Sequence, residues 1–192
     1  MSNKLEGLTD AQLVVLAKEG DASAFEEIYD RHFCGVARAL ASFAGPDRDL
    51  LDDLAQDVFV RVIEGLSSYV PRHPFSHWLY TIALNVGRNH VRRSSKVMPV
   101  DPSELEEITP AVEERSDVSE QFLGRTLMRL VSRLPVPMRE VVSLRIGSSL
   151  PYGEIAEILG IPEGTARSRM FNAVATLRGQ LTANHSKRSY ER

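Results

Sequence analysis

The stretch GEIAEILGIPEGTARSRM, residues 153–170, sets two short apolar-periodic segments around a Gly-Ile-Pro break. The second segment carries Thr165, Arg167, Ser168, Arg169, Phe171 and Asn172 on or beside its polar side. Arginine and asparagine form bidentate hydrogen bonds with guanine and adenine edges, and an aromatic ring packs on a thymine methyl. A helix that reads a major groove does so with its N-terminal turns, where these residues lie. The competing reading is a solvated αα-hairpin with incidental arginines. Phe171 on an otherwise polar face argues against it.

A second group of polar side chains lies in SHWLYTIALNVGRNHVRR, residues 76–93. Thr81, Asn85, Arg88 and Arg92 recur at i, i+4, i+7 and i+11, one face of a helix. Hydrogen-bonding groups among cations suit phosphates and unpaired bases. The preceding loop, SSYVPRHPF, adds Tyr69, Arg72, His73 and Phe75, a composition able to hold an unstacked base. Taken alone, this part reads equally well as a solvated helix with a self-packed loop. His73 and His77 have HxxxH spacing, but Pro74 intervenes and no nearby acid suggests a third ligand. No metal site and no cofactor is expected, and no catalytic constellation is evident. His32 beside Cys34 reads as packing.

The helix DLLDDLAQDVFVRVIE, residues 49–64, buries Leu51, Leu54, Ala55, Val58 and Val62 and turns Asp53, Gln56, Asp57 and Val60 outward. An acidic face is ill suited to DNA and well suited to a basic protein surface. In isolation, an ordinary charged helix is the simpler reading.

The elements that must position these groups are helices throughout. Apolar residues recur at three and four, and strand-type alternation is absent. Helices are expected from Thr9-Asp10 to about Gly20, from Asp21 or Ser23 to Gly45-Pro46, from Asp47 to about Gly65, and from a Ser76 cap to about Arg93. The pattern resumes at Phe122, breaks at Pro135 and Pro137, runs from Met138 to Arg145, and breaks again from Gly147 to Pro151. In the last pair, Ala156 supplies the small contact residue and Gly160 the turn of a helix-turn-helix. Ala166, Met170, Ala173, Val174, Leu177 and Leu181 form the inward stripe of the final helix.

Charge is segregated along the chain. The net charge is −3. Residues 1–95 carry 10 Lys/Arg against 13 Asp/Glu, residues 96–121 carry 2 against 8, and residues 122–192 carry 11 against 5. The last part can meet phosphate and the middle part would repel it. The expected fold is all-α: a domain at 1–96, a flexible acidic linker at 97–121, and a helix-turn-helix domain at 122–192. The N-terminus lacks a signal-peptide pattern, and no apolar run approaches the roughly 20 residues of a membrane span. The single cysteine, Cys34, excludes an internal disulfide. A cytoplasmic protein without membrane insertion is expected.

These stretches occur together, in this order, in one family. The chain resembles the extracytoplasmic-function sigma factors of bacterial RNA polymerase from about Asp10 to Leu181. AFEEIYDRHF is similar to the family's first conserved region and DDLAQDVFVRV to its polymerase-docking helix. FSHWLYTIALNVGRNHVRR is similar to its −10 region, and the stretch from LPVPMREVV to VATLR to its −35 domain. The resemblance implies that Asp53, Gln56 and Asp57 dock on the β′ coiled coil of core polymerase, with the β flap as a further contact. It implies that Asn85 and the loop bearing Tyr69, Arg72, His73 and Phe75 capture −10 bases while Arg88 and Arg92 hold the backbone. Thr165, Arg167, Ser168, Arg169, Phe171 and Asn172 would meet the −35 major groove. Promoter DNA and an anti-sigma factor are the further partners implied. Ala166 and Asn172 depart from the family's frequent Val and Arg/Lys, which thins packing and lowers the charge of the reading helix. The alternatives are a stand-alone helix-turn-helix regulator, which leaves the 49–64 face without a role, and a sigma-like decoy for an anti-sigma factor.

Overall fold

A computed structural model of the chain describes residues 5–97 and 116–190. It is helical, with no strand among the described residues. Helix α1 (Asp10–Lys18) starts in a capping box, Thr9 with Gln12, that satisfies two orphan N–H groups. Asp21 caps α2 (Ala22–Ala44) by accepting from the N–H groups of Ser23 and Ala24, and Asp47 caps α3 (Arg48–Leu66) by accepting from Leu50 N–H. Helix α4 (Phe75–Val97) begins at Phe75, one residue before the expected cap, so Ser76 lies in its first turn. The His77 N–H reaches back to the Pro74 carbonyl at 3.0 Å, closing that turn without a side-chain cap.

Leu13 and Val14 of α1, Ile28, Val36 and Leu40 of α2, Val58 and Val62 of α3, and Leu79, Ala83 and Val86 of α4 form one core. Each such Val or Leu contributes about 1.5–3 kcal/mol on burial.

The second half begins at α5 (Ser116–Ser132), so residues 116–121 of the expected linker are already helical. The rest of that linker, 98–115, lies outside the described residues. Helix α6 (Val136–Val142) carries Pro137 in its first turn, where a missing N–H is tolerated, and runs on into a π-helical turn (Ser143–Gly147). Helices α7 (Tyr152–Leu159) and α8 (Glu163–Tyr190) form the helix-turn-helix. Gly160 takes φ 63°, ψ 38°, the left-handed conformation that glycine adopts without strain. The Ile161 N–H returns to Ala156 O at 3.0 Å and fixes the crossing.

Two small helical domains joined by a linker were expected, and the two halves also pack against each other through a second core. Ala39 and Phe43 of α2 and Tyr80 and Leu84 of α4 pack with Val141, Leu144, Ile155 and Ala166 of the second half. The physical reason is amphipathicity on two sides. Helices α2 and α4 each carry a second apolar stripe that α1 and α3 cannot cover. Ser42 and Ser143 hydroxyls hydrogen-bond across the seam, and Arg139 lies over the Phe43 ring at 5.6 Å. Burial lowers the pKa of that guanidinium, and its Nη2 donates to Leu134 O at 2.9 Å.

At Gly147 the backbones of the two halves approach closely. A Cβ there would stand 2.7 Å from Arg38 O and 3.0 Å from Ala39 N. Backbone atoms of α2 cannot yield as a side chain would, so Gly147→Ala is expected to weaken the seam by about 1–3 kcal/mol while leaving each half helical. Small-angle scattering should show a larger radius of gyration at unchanged far-ultraviolet circular dichroism. An unchanged radius would mean the seam tolerates the methyl.

Candidate nucleic-acid interface

Helix α8 buries Ala166 and Ala173 and presents Arg167, Ser168, Phe171 and Asn172 outward from its first three turns. Phe171 is 75% exposed, the most exposed large apolar side chain among the described residues. Arg167 is held in place. Its Nε and Nη2 donate to Glu163 Oε1 at 3.1 and 2.5 Å, and its Cζ lies 4.7 Å over the Tyr152 ring. Tyr152 also carries Arg145 at 5.2 Å, so one ring orients two cations. Sequence reading missed Tyr152, because its partners follow only from the α7–α8 crossing. Thr165 and Arg169 are half-buried at the flanks.

On α4, Asn85 and Arg92 are exposed. Arg88 is engaged: Nη1 donates to Asn85 Oδ1 at 2.8 Å, and Nε pairs with the Glu140 carboxylate across the seam. Glu140, 5% exposed, is the second residue that sequence reading missed. An acid in the otherwise basic 122–192 stretch was the available signal. Arg92 Nη2 donates to Asn89 Oδ1 at 3.1 Å.

The loop before α4 divides into two kinds of residue. Arg72 and His73 are exposed. Tyr69 and Phe75 are in the first core, a correction to their reading as stacking surfaces for a base. The Tyr69 ring packs edge-on against Phe75 at 5.7 Å and tilted against Trp78 at 4.9 Å. Its hydroxyl donates to His73 O at 3.0 Å, and burial, with the Asp10 charge second, raises its pKa. These rings anchor the loop from beneath. The absence of an acid near His73 and His77 is also corrected. Glu154 and Glu157 of α7 face them from the other half.

On α3, Asp53, Gln56 and Val60 form an exposed row with half-buried Asp57, which pairs with Arg61 at 3.0 Å. Ile63 extends the row with more exposed apolar surface. The face is acidic at one end and apolar at the other.

Residues 28–97 match the Sigma-70 region 2 family model and residues 124–177 the Sigma-70, region 4 model. The ECF RNA polymerase sigma-E factor of Escherichia coli (strain K12) is 34% identical over 177 residues, covering 88% of this chain and 92% of that protein. The chain belongs to the extracytoplasmic-function (ECF) sigma factors. As a member of that family it directs promoter-specific initiation of transcription. The sigma-E factor of Haemophilus influenzae is 29% identical over the same length, with 88% and 93% covered. Among solved structures, that of CnrH in complex with the cytosolic domain of CnrY is similar at 28% identity and a TM-score of 0.66, covering 91% of this chain and 97% of CnrH. The sigma factor RpoE of Bartonella quintana, solved with the anti-sigma factor NepR, shares the fold at 23% identity and a TM-score of 0.58, with 82% and 98% covered. No helix among the described residues of this ECF sigma factor is long and apolar enough to cross a membrane.

The two kinds of loop residue separate in a stability measurement. Tyr69→Ala should cost about 3–5 kcal/mol in urea unfolding, as for deletion of a buried ring. Arg72→Ala should stay within about 0.5 kcal/mol, as for an exposed loop residue. A Tyr69→Ala variant as stable as wild type would return that ring to the candidate base-stacking surface.

Proposed function

We propose that this chain is a non-catalytic cytoplasmic initiation factor in which each of three faces has one partner. The row of exposed Asp53 and Gln56 with half-buried Asp57 docks on the β′ coiled coil of core RNA polymerase. Its acidic end supplies complementarity and Val60 and Ile63 supply apolar contact. The unit at 1–96 holds the −10 element, with Asn85, Arg72 and His73 meeting unpaired bases and Arg88 and Arg92 the backbone. Tyr69 and Phe75 act there only as the loop's support. The unit at 122–192 holds the −35 element, with Arg167, Ser168, Phe171 and Asn172 in the major groove and Thr165 and Arg169 beside it; its further protein contact is the β flap. An anti-sigma protein is the regulatory partner, supported by the similar CnrH having been solved with part of another protein bound.

One observation carries this reading beyond a stand-alone regulator: the α3 row is exposed, acidic and apolar at once, and none of the described residues covers it. A decoy would have no use for Arg167 pre-set by Glu163 and Tyr152. The closed seam adds a condition. Arg88 is paired with Glu140, so the −10 face is engaged within the chain. Core polymerase and promoter must bind the open arrangement better than the closed one to release it.

Asp53→Lys with Asp57→Lys should abolish co-purification with core polymerase while α3 keeps its helicity. Wild-type recovery of the double variant would contradict the docking role. On the DNA side, Arg167→Ala should cost ~1–3 kcal/mol at one base position of the −35 element and relax preference there. Arg169→Ala should weaken all promoters alike and lower the salt slope by about one. Run-off transcription on a promoter library reads both, and equal uniform losses would refute the division.

A further inference from the structure

Two histidines of the first half and two glutamates of the second meet at one end of the seam. His73 is an exposed residue of the loop before α4, and His77, 7% exposed, lies in the first turn of α4. Their rings stack at 6.3 Å with an interplanar angle of 18°. Helix α7 sets Glu157 Oε2 3.5 Å from His77 Nδ1 and Glu154 Oε2 3.2 Å from His77 Nε2. One ligand atom each from His73, His77 and Glu157 lies within 4.8 Å of the others.

We propose that His73, His77 and Glu157 form a binding site for a divalent transition-metal ion that bridges the two halves. Two imidazoles and a carboxylate suit Zn²⁺, Co²⁺ or Ni²⁺ rather than Mg²⁺ or Ca²⁺, and three protein ligands leave the fourth position to water. The placement of His77 points the same way. A neutral imidazole has one N–H, so it can donate to one carboxylate only. Its other nitrogen then directs a lone pair at a carboxylate, which is repulsive until a cation sits between them. With the ion between Nδ1 and Glu157, Nε2–H donates to Glu154, the outer-sphere partner that fixes a ligating histidine's tautomer. Metal–ligand bonds of about 2.0–2.1 Å require ligand atoms roughly 3.3 Å apart. His73 and Glu157 are both exposed and can close that distance, while buried His77 stays fixed.

Such an ion stabilises the closed arrangement, because its ligands come together only there. That consequence for transcription rests on the proposed function; the binding itself does not. The alternative is an imidazolium at His77 that donates to both glutamates, with no metal.

The test uses the full-length chain stripped with a chelator, carrying Cys34→Ser so that no thiol competes. It is titrated with Co²⁺ for visible d–d bands and with Zn²⁺ by calorimetry. The expected result is one ion per chain, four-coordinate Co²⁺ bands, and a zinc-dependent rise in Tm. His73→Ala and Glu157→Gln, both at exposed positions, should each weaken binding by at least about tenfold and abolish the rise. No stoichiometric binding, or binding unchanged in both variants, would overturn the site and leave the imidazolium reading. Run-off transcription by the stripped wild-type chain is scored separately: its absence would count against the sigma-factor roles and leave the metal result standing.

Discussion

Burying a carboxylate is costly unless it is paired or hydrogen-bonded, and in this chain Glu140 finds its partner on the opposite half, in Arg88. That pairing, with the apolar seam around it, governs the rest of the structure. Phe43, Tyr80 and Leu84 would otherwise lie open on the first half, and Val141, Leu144 and Ile155 on the second. A charge-assisted hydrogen bond of this kind contributes roughly 1.5–3 kcal/mol, toward the low end here because Arg88 is partly solvated. Separating the halves therefore costs little at that bond, provided that Glu140 reaches water and Arg88 reaches another anion. A phosphate is such an anion. The residue proposed to hold the −10 backbone is thus also the latch of the closed form.

The surfaces differ in what closure does to them. The α3 row is exposed in the closed arrangement, as are Phe171 and Asn172 on α8. Arg88 is the engaged group. Under the proposed roles, polymerase can be met first, and opening follows when two weakly held DNA contacts are linked on one platform at high effective concentration. The charge layout fits that order. Only the small C-terminal part is strongly cationic, so the free chain has little electrostatic hold on a duplex.

Much of this was legible in the sequence because it is local. Thr9, Asp21 and Asp47 stood where their helices were expected to start, Gly160 in the turn of the last helix pair, and the three-and-four spacing marked the long helices. The polar positions of α3, α4 and α8 emerged on the predicted faces. The misreadings have two causes, a loop without periodicity and distance along the chain. Tyr69 and Phe75 in a Pro-rich loop offer no periodicity from which burial can be read, so their polar neighbours made them look exposed. Glu140 and Arg88 are 52 residues apart, and His77 and Glu154 are 77. No spacing rule connects such pairs. The second apolar stripe of α2 and α4 was present in the sequence, but it does not say which surface covers it.

Under the proposed roles, one chain has a closed form alone and an open form on polymerase. The separation between the halves can be measured by pulsed electron–electron double resonance. Spin labels would be placed at Glu26→Cys on α2 and Arg178→Cys on α8, both exposed, in a Cys34→Ser background. A single short distance is expected for the free chain, replaced by a distinctly longer one when core polymerase and promoter are added. The same distance in both states, or a broad long distribution for the free chain, would contradict it.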